Sequence, residues 1–103
     1  MKVYKYILLS AICFIASVTT LSAQQRISGQ ISDAMGPLMM VNVVEMDKDN
    51  RFVNHTTTDF DGNFTMIVKS NKNRLKITYV GFKDEILEIG DRTVFNITMK
   101  DEN

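Results

Sequence analysis

The sequence predicts an all-β domain, a sandwich of seven short strands preceded by an export signal. Three observations carry this expectation. From Arg26 onward, short runs of alternating apolar and polar residues follow one another, each bounded by turn-forming residues. No window sustains the roughly 3.6-residue apolar period of an amphipathic helix. The runs also recur at the spacing typical of two packed antiparallel sheets.

Residues 1–23 read as a secretory signal peptide. Lys2 and Lys5 supply the positive start, an apolar stretch covers 7–18, and Leu21-Ser22-Ala23 places a small residue before Gln24. A membrane span needs about 20 apolar residues, and Ser17, Thr19 and Thr20 interrupt this one. A cleaved leader and a domain over 24–103, with no transmembrane span, are therefore expected. The single cysteine, Cys13, lies inside the apolar stretch. Ser10 and Ile12 stand where a lipoprotein signal needs Leu and a small residue, so lipidation is not expected. After cleavage no disulfide or thiol chemistry remains, and an unstapled core of this size supports only roughly 4–8 kcal/mol of folding stability.

The expected strands follow in order. Residues 26–32 alternate Ile27, Gly29 and Ile31 against Ser28, Gln30 and Ser32, and Asp33-Ala34-Met35-Gly36-Pro37 breaks the run. Residues 41–46 are more continuously apolar, as in a strand covered on both faces, and end in Asp47-Lys48-Asp49-Asn50. Residues 52–58 and Asn63–Val68 flank Asp61-Gly62, a pair that accepts positive φ. Residues 74–80 place Leu75, Ile77 and Tyr79 inward. Residues 82–89 resume after a bend at Gly81, and 93–99 close the domain with Val94, Phe95, Ile97 and Met99. The shared interior is expected to hold Ile27, Ile31, Val43, Phe64, Leu75, Ile77, Tyr79 and Ile97.

Three segments in this order, Gly36-Pro37-Leu38, Thr58-Asp59-Phe60-Asp61-Gly62-Asn63-Phe64 and Tyr79-Val80-Gly81-Phe82, resemble the carboxypeptidase-regulatory-like domain. The resemblance runs from about Arg26 to Lys100 and is to the version found at the N-terminus of SusC-type TonB-dependent outer-membrane transporters of Bacteroidetes. It implies a seven-stranded Greek-key, transthyretin-like (prealbumin-like) β-sandwich. It also implies a non-enzymatic accessory module in the periplasm or on the periplasmic face of the outer membrane. Its expected partner is a protein of the cell envelope, such as a TonB-dependent transporter or its components. Met39 and Met40 depart from the family pattern, which has small, turn-prone residues there.

Few residues offer chemistry. The chain has 12 basic and 12 acidic side chains, and without Lys2 and Lys5 a small acidic excess remains. No clustered basic excess marks a nucleic-acid surface; Lys69, Lys72, Arg74 and Lys76 read as a solvated turn and strand edge. His55 is the only histidine, too little for a histidine-based zinc site or a Ser-His-Asp triad. Asp59 and Asp61 evoke a calcium loop, but the position that should hold the last acidic ligand is Val68, so a hairpin turn is expected. Asp84, Glu85 and Glu88 read as solvated surface. No catalytic residue, cofactor or metal ligand is therefore assigned.

The expected contact surface is the loop bearing Met35, Leu38, Met39 and Met40, where adaptable apolar groups occupy an apparent turn. An alternative is a small-ligand or metal-ion module: thioethers of Met35, Met39 and Met40 with the His55 imidazole suit Cu(I), and Asp59 with Asp61 suit Ca²⁺.

Overall fold

The structure, a computed structural model, describes residues 25–102; the expected signal peptide lies outside them. Eight strands form two facing sheets: β1 (Gln25–Asp33), β2 (Gly36–Pro37), β3 (Asn42–Met46), β4 (Phe52–Thr57), β5 (Asn63–Val68), β6 (Arg74–Thr78), β7 (Glu85–Glu88) and β8 (Val94–Thr98). In the first sheet β1 is central. It pairs antiparallel with β5 and β2 along one side and parallel with β8 along the other. The second sheet is antiparallel throughout in the order β4-β3-β6-β7. The chain changes layer between β4 and β5 and returns between β5 and β6, so β6 pairs with β3 as a Greek key requires.

Alternation places the core. Along β5 every second residue is buried, leaving Phe64, Met66 and Val68 inside with Asn63, Thr65 and Ile67 outside. Ile27, Ile31, Val43, Leu75, Ile77 and Phe95 are completely buried between the layers. Each such side chain contributes about 1.5–3 kcal/mol of transfer free energy. Tyr79 differs from expectation. It lies past the end of β6, half-buried at the rim, where it stacks on Phe82 at 5.7 Å between ring centroids. Val94 begins the edge strand β8 and points outward.

The extra strand is β2. Instead of only stopping β1, Gly36-Pro37 folds back on it, pairing Pro37 with Ser32 and Gly36 with Asp33. Asp33 Oδ1 accepts the Met35 and Gly36 amides at 2.9 and 3.1 Å, which closes the turn. Pro37 donates no hydrogen bond, so it suits a pair of strands this short.

Glu45 is the residue that binary patterning does not anticipate. It points inward from β3 and is fully buried. Its Oε1 accepts the Lys69 amide at 3.0 Å and Asn54 Nδ2 at 3.2 Å. Its Oε2 accepts the Lys69 amide at 3.0 Å, the Ser70 amide at 3.3 Å and Asn73 Nδ2 at 2.6 Å. A buried carboxyl group is tolerated because every contact is an N–H donor, and the cluster pins the crossing from β5 to β6. Asn54 also joins the layers at their edges, donating to Ile67 O at 2.8 Å.

The turns 47–51 and 59–63 share one design. In each, the leading aspartate's Oδ1 accepts two amides, from Asp49 and Arg51 in the first and from Asp61 and Asn63 in the second, all at 2.9 Å. The fourth residue has positive φ, 62° at Asn50 and 75° at Gly62. The amide of Arg51, then that of Asp49 and the Arg51 guanidinium, hold the Asp47 carboxyl below the ordinary aspartate value of 3.8. A depressed folded-state value stabilises the fold above the unfolded value and ceases to do so as pH falls through the lower one. Thermal melting of Asp47→Asn should therefore lack the part of the wild-type decline below pH 3.8 that this group causes. Identical acid profiles would contradict the assignment.

Candidate interaction site

One end of the sandwich is built from the loop 38–41 and the turn 59–63. Thr58 fastens them. Its buried hydroxyl donates to Leu38 O at 2.7 Å and accepts the Val41 amide at 3.0 Å, while Thr58 O accepts the Met40 amide at 3.0 Å. Gly62 seats the turn against β1: a Cβ there would lie 2.5 Å from Ile31 O and 3.1 Å from Pro37 Cβ. The turn thereby presents Phe60 outward, 85% exposed. Met39, Met40, Phe60, Thr58 and Asp59 line a shallow depression of about 160 Å³.

The four residues expected to form a contact surface do not share one place. Of Met35, Leu38, Met39 and Met40, the structure brings Met39 and Met40 together as exposed neighbours. Leu38 turns inward and packs on the core. Met35 stands at the β1–β2 turn, beside a separate cleft of about 440 Å³ that includes Thr98 and Lys100. Phe60 was not foreseen. Its signal is an aromatic side chain between two aspartates that a turn has no need of.

Met40 is held at φ 63°, unusual for a long side chain without a short polar group to bond locally. Glycine relieves that strain, offset partly by its freer unfolded chain. Met40→Gly should therefore raise stability by about 0.5–1 kcal/mol in urea unfolding. A loss of stability would show that the side chain supports the fold.

The polar groups near this end serve the turns. Asp59 Oδ1 holds two amides, and Asp61 O accepts Gln30 Nε2 at 2.9 Å. His55 sits on β4 with Nε2 3.3 Å from Asn42 Oδ1. The three methionines and His55 considered for Cu(I) are not gathered in one place, since Met35 belongs to the other cleft and His55 pairs with Val44 along the sheet. Among the described residues, no three of His, Cys, Asp and Glu converge on a common point.

Fold and surface together define a small two-layer β-module with a fastened, apolar end. Residues 27–103 match the model of the CarboxypepD_reg-like domain, and the chain belongs to that family. TonB-dependent receptor P39 of Formosa agariphila is a relative, 31% identical over 87 residues, which is 84% of this chain. The chain spans 8% of that receptor's length.

Proposed function

We propose that the chain is an exported, non-enzymatic interaction module of the bacterial cell envelope, comparable to the N-terminal extension of a TonB-dependent nutrient transporter. The observation that carries this reading is the match of 84% of the chain to 8% of a TonB-dependent receptor. Two features agree with it. The apolar groups Met39, Met40 and Phe60 are displayed by a backbone fastened through Thr58 and Gly62, as a docking surface requires. Among the groups suited to acid–base work, Glu45, Asp47 and Asp59 accept the amides that shape the crossing and the turns, and His55 meets the Asn42 side chain at 3.3 Å.

Cleavage after Ala23 would release the domain into the periplasm, to remain there or to rest on the inner face of the outer membrane. Among the described residues no helix is long and apolar enough to cross a membrane. Fractionation of the native host, followed by cross-linking in intact envelopes, tests the reading. The chain should begin at Gln24, partition with the periplasm or outer membrane, and cross-link to a TonB-dependent receptor or its components. A cytoplasmic chain retaining residues 1–23, or an envelope chain with no such neighbour, would overturn it.

A further inference from the structure

The two layers are unequal in width, and the shortfall defines a vacant strand position. The corner where β4 meets β5 is fixed by the hydrogen bond from Asn54 to Ile67. Counting from that corner, β4, β3 and β6 lie over β5, β1 and β8, and β7 faces no strand; the chain's own 81–83 borders this position only beyond β8, where Phe82 bridges Asp101 and the Lys83 amide donates to Lys100 O at 2.9 Å. The side chains record this. Leu75 and Ile77 on β6 are fully buried, whereas Leu87, cross-strand neighbour of Leu75 on the same face, is only half-buried.

The outer edge of β8 borders that position. Its ladder with β1 is bounded by bonds from the Ser28 amide to Thr93 O and from the Met99 amide to Ser32 O. That parity turns the main-chain groups of Phe95 and Ile97 toward β1 and those of Val94, Asn96 and Thr98 outward. Among the described residues the outward groups have no main-chain partner. The other edges carry the usual guards against strand addition: a register shift beside β4, the Asn54 bridge onto β5, and two glutamates in the four residues of β7. From Thr93 to Met99 there is no charge and no proline.

We infer that the β8 edge receives an extended segment of a different polypeptide, added as a strand opposite β7. The segment's inward side chains are apolar, to cover Leu87. It carries an acidic residue near Arg92, whose guanidinium lies 4.3 Å from the Phe95 ring centroid beside the edge. A second copy of this chain is disfavoured. Antiparallel pairing of β8 with itself about Asn96 would set Arg92 against Lys100 and Asp91 against Asp101, each twice by symmetry, making four like-charge pairs. The inference rests on the interaction-module reading for its setting and uses a surface separate from Met39, Met40 and Phe60.

The test places a photo-cross-linking amino acid at Val94, Thr98 or Met40 of the full chain in its native host, with adduct sites mapped by mass spectrometry. Strand addition predicts that Val94 and Thr98 react with one partner segment at residues about four apart. Asn96→Pro removes an outward N–H at a position where an edge strand tolerates proline, and should reduce the yield about tenfold. Asn96→Lys, which guards the edge without restricting the backbone, should reduce it comparably while the melting temperature stays near wild type. Adducts to a second copy, scattered adduct sites, no adduct from β8, or an Asn96→Lys chain that is folded and cross-links normally would each overturn the inference. Strand-spaced adducts on a protein outside the envelope would retain it and remove the proposed function. Adducts from Met40 alone would do the reverse.

Discussion

Gly29→Ala is expected to destabilise the domain by about 3 kcal/mol or more, the largest effect of any single methyl group considered. Gly29 sits in the middle of β1 with Phe64 beside it on β5 and Phe95 beside it on β8. An added Cβ would collide with the Phe95 carbonyl oxygen, lie 2.7 Å from the Phe95 carbonyl carbon and 2.9 Å from Phe64 Cε1. The ring can tilt, but the carbonyl belongs to the sheet ladder and cannot retreat without parting β8 from β1. Because the whole domain is expected to hold only roughly 4–8 kcal/mol, the variant should keep only about 1–5 kcal/mol and melt well below wild type. Urea unfolding followed by far-UV circular dichroism measures the change; a midpoint within experimental error of wild type would refute the close approach.

The second large effect is expected at Glu45. Glutamine preserves the shape but converts one acceptor oxygen into an NH₂ group facing N–H donors from Lys69, Ser70, Asn54 or Asn73. Whichever way the amide turns, hydrogen bonds are lost and a buried donor meets a donor. Glu45→Gln should therefore cost about 2–4 kcal/mol. Asn73→Ala removes one donor and leaves Glu45 its backbone partners, so its cost should be smaller, about 1–2 kcal/mol. The order of the two matters most: Asn73→Ala more damaging than Glu45→Gln would mean that the loop, and not the carboxyl group, organises the crossing.

Alternation made most of the fold legible because it reports which face of a strand meets the interior. Ile27, Ile31, Val43, Phe64, Leu75, Ile77 and Ile97 all lie where their spacing places them. Alternation is silent about contacts between sequence-distant segments. Tyr79 continues the pattern of Leu75 and Ile77, yet it falls beyond the last β6 pair and reaches only the rim. Glu45 sits on the core face of β3, where its charge argues for solvent; its burial depends on amides 24 and 25 residues later in the chain. The same limit applies to the site. Methionines in a turn marked Met39 and Met40, but Leu38 needed the core and Phe60 joined them only through the seat that Gly62 provides.

The docking role proposed for the apolar end is isolated by Met39→Ser combined with Phe60→Ser. Both residues are exposed, at 46% and 85%, so the double variant should melt close to wild type. Its association with receptor-containing outer membranes, measured by co-sedimentation, should fall about tenfold or more if this surface supplies a hot spot of binding. Undiminished association of a folded double variant would contradict the claim.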